Sequence, residues 1–229
     1  MAQGLFNSSI GRKFAMALSA FFLITFLVVH LLVNFLSVIS PSAYNEASHF
    51  MGTNPLVQFL FQPILIAGVV FHFVLGFVLE IKNKKARGPV GYVKSNSSQN
   101  STWVSRNMVV TGAMILIFLG LHFADFWLPE INTKYIQGDM TGLLQGGDGD
   151  LRYYEELQHK FASPWRVAVY VIAFILLGLH LAHGFQSAFQ SVGANHRRYT
   201  PVIKAFGKFY AIIIPLGFIF IAIYHFLNQ

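Results

Sequence analysis

The sequence predicts an all-α integral membrane protein with five transmembrane helices. Three observations carry that expectation. Hydrophobic residues make up 55% of the 229 positions and charged residues only 11%, against about 25% in soluble domains. Five apolar stretches each reach the roughly 20 residues needed to cross a ~30 Å hydrocarbon layer. The lysines and arginines gather between those stretches and at their ends.

The stretches fall at 14–38, 56–81, 103–128, 165–192 and 205–227 of a single membrane domain, 1–229. The first follows Arg12 and Lys13. It is too long for a signal-peptide core of about 7–15 residues and lacks a small-x-small cleavage site, so it is expected to remain as a helix. The connection 39–55 carries Pro41, Asn45, Gly52, Asn54 and Pro55, all turn formers. The next, 82–102, is basic and then polar. The long loop 129–164 holds Gly138, Gly142, Gly146, Gly147 and Gly149 between acidic residues. A short connection, 193–204, contains Pro201, suited to a helix start. Trp103, Trp127 and Trp165 sit at stretch ends, as an interfacial aromatic belt expects, and the 24 phenylalanines are read as lipid-facing and core filling.

Orientation follows from lysine and arginine counts on each side. The N-terminus and the second and fourth connections with their flanks hold twelve: Arg12, Lys13, Lys82, Lys84, Lys85, Arg87, Lys94, Arg106, Arg197, Arg198, Lys204 and Lys208. The other side holds Lys134, Arg152, Lys160 and Arg166. The N-terminus is therefore expected in the cytoplasm and the C-terminus outside. The net charge of +7 is topological and partly a docking surface; no soluble basic face for nucleic acid is present. With no cysteine, disulfides, iron–sulfur ligation and covalent c-type haem are excluded.

Four histidines lie inside the first four stretches. IFLGLHFA around His122 recurs as ILLGLHLA around His180, FLVVHLL surrounds His30, and HFVLGF begins at His72. An unpartnered polar group in an apolar medium costs roughly 2–7 kcal/mol, and ionisable residues within membranes are functional candidates. At 1.5 Å per residue, His30 and His122 fall about 8–10 Å outward of their centres. His72 and His180 fall about 3–5 Å toward the cytoplasm, and His183 about 7 Å. In an up-down bundle of helices 1–4, the first and third helices are diagonal, as are the second and fourth. Each pair can grip a flat macrocycle, giving two bis-histidine haems b with irons roughly 15 Å apart along the normal.

Depth slightly favours His183 as the fourth ligand, whereas the repeats LGLH-x-A and H-x-x-x-G-F favour His180, leaving His183 as an alternative ligand or a propionate contact. Gly76 and Gly184 lie one turn after a histidine on the same face, where a porphyrin can approach. Gly120 and Gly178 precede theirs by two and are equally readable as packing glycines. His225 ends the fifth stretch near the outer interface without a partner of matched depth. That stretch is expected to flank the bundle, with no interior ionisable residue. His49, His159 and His196 are expected in solvated connections. Arg12, Lys13, Asn34, Arg106 and Gln186 are possible propionate contacts.

These residues resemble the cytochrome b subunit of succinate:quinone oxidoreductases (succinate dehydrogenases and fumarate reductases), in its single-anchor, five-helix, dihaem form. The resemblance rests on GRKFAMALSAFFLITFLVVHLLVNF in the first stretch, HFVLGF in the second, LGLHFADFW in the third and HLAHGFQSAFQSVG in the fourth. The family's fourth-helix ligand is followed by glycine four and thirteen positions later, here Gly184 and Gly193, which selects His180. The resemblance implies ligand pairs His72/His180 for the cytoplasmic-side haem and His30/His122 for the outer one. It further implies flavoprotein and iron–sulfur partner subunits on the cytoplasmic side and electron exchange with a quinone, menaquinone or another, near the outer haem. Quinone chemistry needs a titratable group at its site; Glu46 and Asp125 are the candidates, with His49 a weaker one. The glutamate that some members carry beside the fourth-helix ligand is replaced here by Gly178, Leu179 and Leu181. Two rival readings are a b-type cytochrome anchoring another dehydrogenase and a haem-free transporter using histidines to move protons or metal.

Overall fold

The computed structural model describes residues 8–87, 107–146 and 149–229. They form seven helices: α1 (Ser9–Ile39), α2 (Pro41–Thr53), α3 (Val57–Ala86), α4 (Met108–Ile136), α5 (Tyr153–Phe161), α6 (Pro164–Ser191) and α7 (Thr200–Leu227). Among the described residues there is no strand beyond an isolated antiparallel bridge, Leu143–Leu151. Five helices, α1, α3, α4, α6 and α7, are long and apolar enough to cross a membrane. The fold is all-α, and the chain is a multi-pass membrane protein. Trp103, Lys94 and Arg106 lie outside the described residues.

Two expected loops contain helices. In 39–55, Pro41, Gly52, Asn54 and Pro55 sit at helix ends, and Asn45 lies within α2. Ser40 caps α2 by accepting from Ala43 N at 3.3 Å, and Pro41 occupies the first turn, where a missing N–H costs nothing. Asn54 Oδ1 then accepts from Leu56 N and Val57 N at the start of α3. In 129–164, α4 continues to Ile136 and α5 begins at Tyr153, with the glycine-rich connection between them. Gly138, Gly142, Gly146 and Gly149 there have positive φ, the backbone region that favours glycine.

Prolines explain two irregular turns. Residues 57–61 and 123–127 are π-helical, and Pro63 and Pro129 each follow two positions later. A proline cannot donate to the carbonyl four residues back. Here the wider turn absorbs the lost bond, with Gln62 N reaching Val57 O and Leu128 N reaching Phe123 O.

The α2–α5 cap covers the end of the molecule where α1 finishes and α6 begins. Asn45 ties its parts together, donating to Leu151 O at 2.8 Å and accepting from Tyr154 N at 2.7 Å. Buried Lys134 pairs with Glu130 and donates to Gly52 O, and buried Arg152 pairs with Glu130 and with Glu156. Burial pushes the Tyr44 and Tyr153 hydroxyls up to about 12. Asp139 is held below the usual carboxylate range by hydrogen bonds from the Thr141 hydroxyl and N–H.

The fifth apolar helix, α7, flanks the other four as expected, packing along the length of α6 and against α1, and it is the most buried of the five. Small residues allow the approach: a Cβ placed on Gly178 of α6 would lie 3.1 Å from Ala211 O and 3.4 Å from Pro215 Cγ. His225, expected near the outer interface without a histidine of matched depth, is fully buried with Nε2 2.8 Å from Ser37 Oγ of α1. Membrane helices are apolar on every face, so the pattern along 205–227 could not reveal which face packs.

Candidate functional site

A cavity of about 600 Å³ runs through the interior between α1, α3, α4 and α6. Native interiors hold few voids larger than a water molecule, so a space of this size is a binding-site candidate. Its wall is mostly apolar and includes His30, His72, His122, His180 and His183. α3 packs mainly on α1 and only lightly on α4.

The histidines meet across this space in two pairs. The His72 and His180 rings have centroids 6.4 Å apart, inclined at 69°. Those of His30 and His122 are 5.7 Å apart, inclined at 86°. Two imidazoles on one metal, with bonds of about 2.0 Å, would place their centroids about 6 Å apart. Ser19, which touches His72, lies eleven residues before His30; Thr111, which touches His180, lies eleven before His122. Either helix therefore separates the pairs by roughly 16 Å.

Three of the four rings have a hydroxyl partner at Nδ1. Ser19 Oγ lies 2.9 Å from Met16 O and 3.0 Å from His72 Nδ1; with its proton on the carbonyl it accepts from an Nδ1–H. Thr111 Oγ1 likewise donates to Met108 O (2.9 Å) and accepts from His180 Nδ1 at 3.2 Å. Tyr170 donates to Asp125 Oδ2 at 2.9 Å and lies 3.5 Å from His122 Nδ1. In each case Nδ1 faces a hydroxyl that can accept from it, the arrangement in which Nε2 of a metal-binding histidine is left with its lone pair. His30 is less constrained: Asn34 Nδ2 donates to His30 O at 2.8 Å and reaches its Nδ1 only at 3.4 Å. His225 shows the reverse. Ser37 Oγ donates to Asn34 O at 2.6 Å, so it accepts from His225 Nε2–H, and the buried Nδ1 of His225 has no partner among the described residues.

A bare metal ion is poorly served here, because no group of three or more His, Cys, Asp or Glu side chains converges among the described residues. Paired imidazoles fit a metal whose remaining positions are filled by its own macrocycle. Glycines widen the cavity beside the inner pair. Added Cβ atoms at Gly76 and Gly184 would lie 3.2 Å from the methyls of Met16 and Met108, and one at Gly112 would lie 3.4 Å from His180 Cε1. Gly178 packs on α7 instead, and Gly120 meets nothing within 4 Å.

The remaining candidates disperse. Glu46 is exposed on α2, its Oε1 accepting from Ser42 Oγ at 3.2 Å. Asp125 is buried, paired with Arg166 (3.1 Å) and near Lys160 (4.0 Å). Neither lines the cavity. Asn34 does, whereas Arg12, Lys13 and Gln186 do not. His49, expected in solvent, is half-buried in α2 with Nδ1 3.3 Å from the Tyr153 hydroxyl; His159 and His196 are exposed. Sequence reading missed Ser19, Thr111 and Tyr170. A signal for the first two existed: Met16-x-x-Ser19 and Met108-x-x-Thr111 each precede a histidine by the same interval.

The chain is similar to the succinate dehydrogenase cytochrome b558 subunit of Bacillus subtilis (strain 168), with 24% identity over 162 residues, covering 71% of this chain and 69% of that subunit. No family model matches the chain, and no solved structure does. The similarity and the five apolar helices together fit a cytochrome b membrane anchor of the succinate:quinone oxidoreductase type.

Proposed function

We propose that the chain is a dihaem membrane anchor that passes electrons between the iron–sulfur subunit of a succinate:quinone oxidoreductase and a membrane quinone. The observation that carries this reading is the meeting of His72 with His180 and of His30 with His122 on the cavity wall, ring centroids 6.4 and 5.7 Å apart, with Nδ1 of His72, His180 and His122 each facing a hydroxyl. In this reading α1, α3, α4 and α6 form an up-down bundle; His72 and His180 hold an inner haem b, and His30 and His122 an outer one. The two haems, when bound, supply one-electron carriers spaced roughly 16 Å apart along the bundle. The chain's part is to fix the rings through Ser19, Thr111 and Tyr170 and to exclude water with apolar walls; the paired imidazoles would hold haem for electron transfer. His183, on the wall near the inner pair, suits a propionate contact.

The N-terminus is cytoplasmic in this account. All four cations on the opposite side, Lys134, Arg152, Lys160 and Arg166, have internal acidic partners. The exposed Lys82, Lys84 and Lys85 then face the iron–sulfur and flavoprotein subunits. Quinone, menaquinone by the resemblance, meets the outer haem, and accessible Glu46 exchanges protons there. Purification in mild detergent tests the assignment: a co-purifying flavoprotein that oxidises succinate supports it. A hydrogenase or nitrate reductase subunit in its place would overturn the choice of dehydrogenase.

A further inference from the structure

We propose that Tyr170 and Asp125 are positioning residues for the outer haem, acting through His122; the inference rests on the function proposed above. The chain is directional: His122 Nδ1–H to Tyr170 Oη at 3.5 Å, then Tyr170 O–H to Asp125 Oδ2 at 2.9 Å. The first step is at the long limit of hydrogen bonding, but the elements around it are fixed. Tyr170 is 2% exposed and Asp125 4%. Phe118, Phe161 and Phe174 contact the Tyr170 ring with centroids 4.8, 5.2 and 5.9 Å away, and Phe118 also stacks on His122 at 5.9 Å.

The contrast with the inner pair gives this chain its meaning. The hydroxyls supporting His72 and His180 end on backbone carbonyls, which are neutral. The one supporting His122 ends on a carboxylate. A carboxylate at the end of such a chain draws the Nδ1 proton away from the ring and strengthens Nε2 as a donor, the effect of outer-shell carboxylates on metal-bound histidine. Arg166 and Lys160 balance the Asp125 charge, but that pairing requires neither Tyr170 nor proximity to His122. Asp125 lies three residues after His122, in the turn that Pro129 widens. A stronger donor favours ferric over ferrous iron, so the intact chain lowers the outer haem's potential.

The test is a redox titration of both haems in the purified complex, the outer one identified by its loss in His30→Ala. Tyr170→Phe removes one hydroxyl and keeps the ring among its phenylalanines. We expect both haems to remain and the outer potential to rise by the equivalent of at least a tenfold change in ferric-to-ferrous affinity, about 59 mV for a one-electron couple. The inner potential stays fixed, and Asp125→Asn shifts the outer one in the same direction. Selective loss of the outer haem with the inner one intact also supports the proposal. Tyr210→Phe removes another buried hydroxyl, bonded to Ile24 O at 2.6 Å, and leaves both potentials alone. Unchanged potentials in Tyr170→Phe, or an equal shift in Tyr210→Phe, would overturn the inference. A wild-type protein without haem would defeat the underlying function instead.

Discussion

Gly120 and Gly178 occupy the same place in the repeated LGLH motif, yet the structure gives alanine opposite consequences at the two. A methyl on Gly178 would press on Ala211 O and on the ring of Pro215. Neither can yield without moving α7, because the carbonyl is backbone and the proline is rigid. Overpacking of this kind costs about 1–3 kcal/mol. At Gly120 no atom lies within 4 Å. Both substitutions gain the same helix propensity, about 1 kcal/mol, so it cancels in the comparison. Gly178→Ala should therefore be less stable than Gly120→Ala by about 1–3 kcal/mol. At roughly 2–4 °C per kcal/mol for a chain of this size, the difference is about 2–12 °C in melting temperature, read by circular dichroism in one detergent at one scan rate. Equal melting of the two variants would refute the α6–α7 packing described here.

Ser37→Ala should destabilise the protein by about 1–3 kcal/mol, because the buried Nε2–H of His225 loses its acceptor. His225→Phe should absorb much of that cost in a double-mutant cycle, and strictly additive effects would contradict the bond. Tyr44 and Tyr153 ionise near 12 in the folded protein and near 10 when unfolded. Their contribution is thus fully present below pH 10 and lost as pH rises through 12. Ultraviolet titration should show a tyrosine class ionising near 12 and falling to 10 on unfolding; a single class near 10 in the folded protein would contradict it. Glu46→Gln should stop quinone turnover while leaving both haem spectra intact, and unchanged turnover would remove Glu46 from the quinone site.

The spans were legible because length and apolarity alone mark a membrane helix. So was the grouping of His30 with His122 and His72 with His180, since rise per residue converts position into depth. The α2 helix was hidden because Pro41 and Asn54 serve turns and helix ends alike, and α5 because the glycines of 129–164 made the whole segment read as loop. The burial of α7 was illegible for a different reason: lipid and protein ask for the same apolar residues, so only contact distinguishes them. The partner of His225 lies 188 positions away. The hydroxyls of Ser19, Thr111 and Tyr170 look ordinary in sequence; their role depends on where the proton goes, and Met16 O, Met108 O and Asp125 decide that.

The central claim is that two histidine pairs hold two haems, and the reduced-minus-oxidised spectrum with haem counted per chain tests it most directly. The account predicts two b haems. His30→Ala and His122→Ala should remove the same one, His72→Ala and His180→Ala the other, and His225→Ala neither. A folded, haem-supplemented protein with none, or losses that pair the histidines differently, would contradict it.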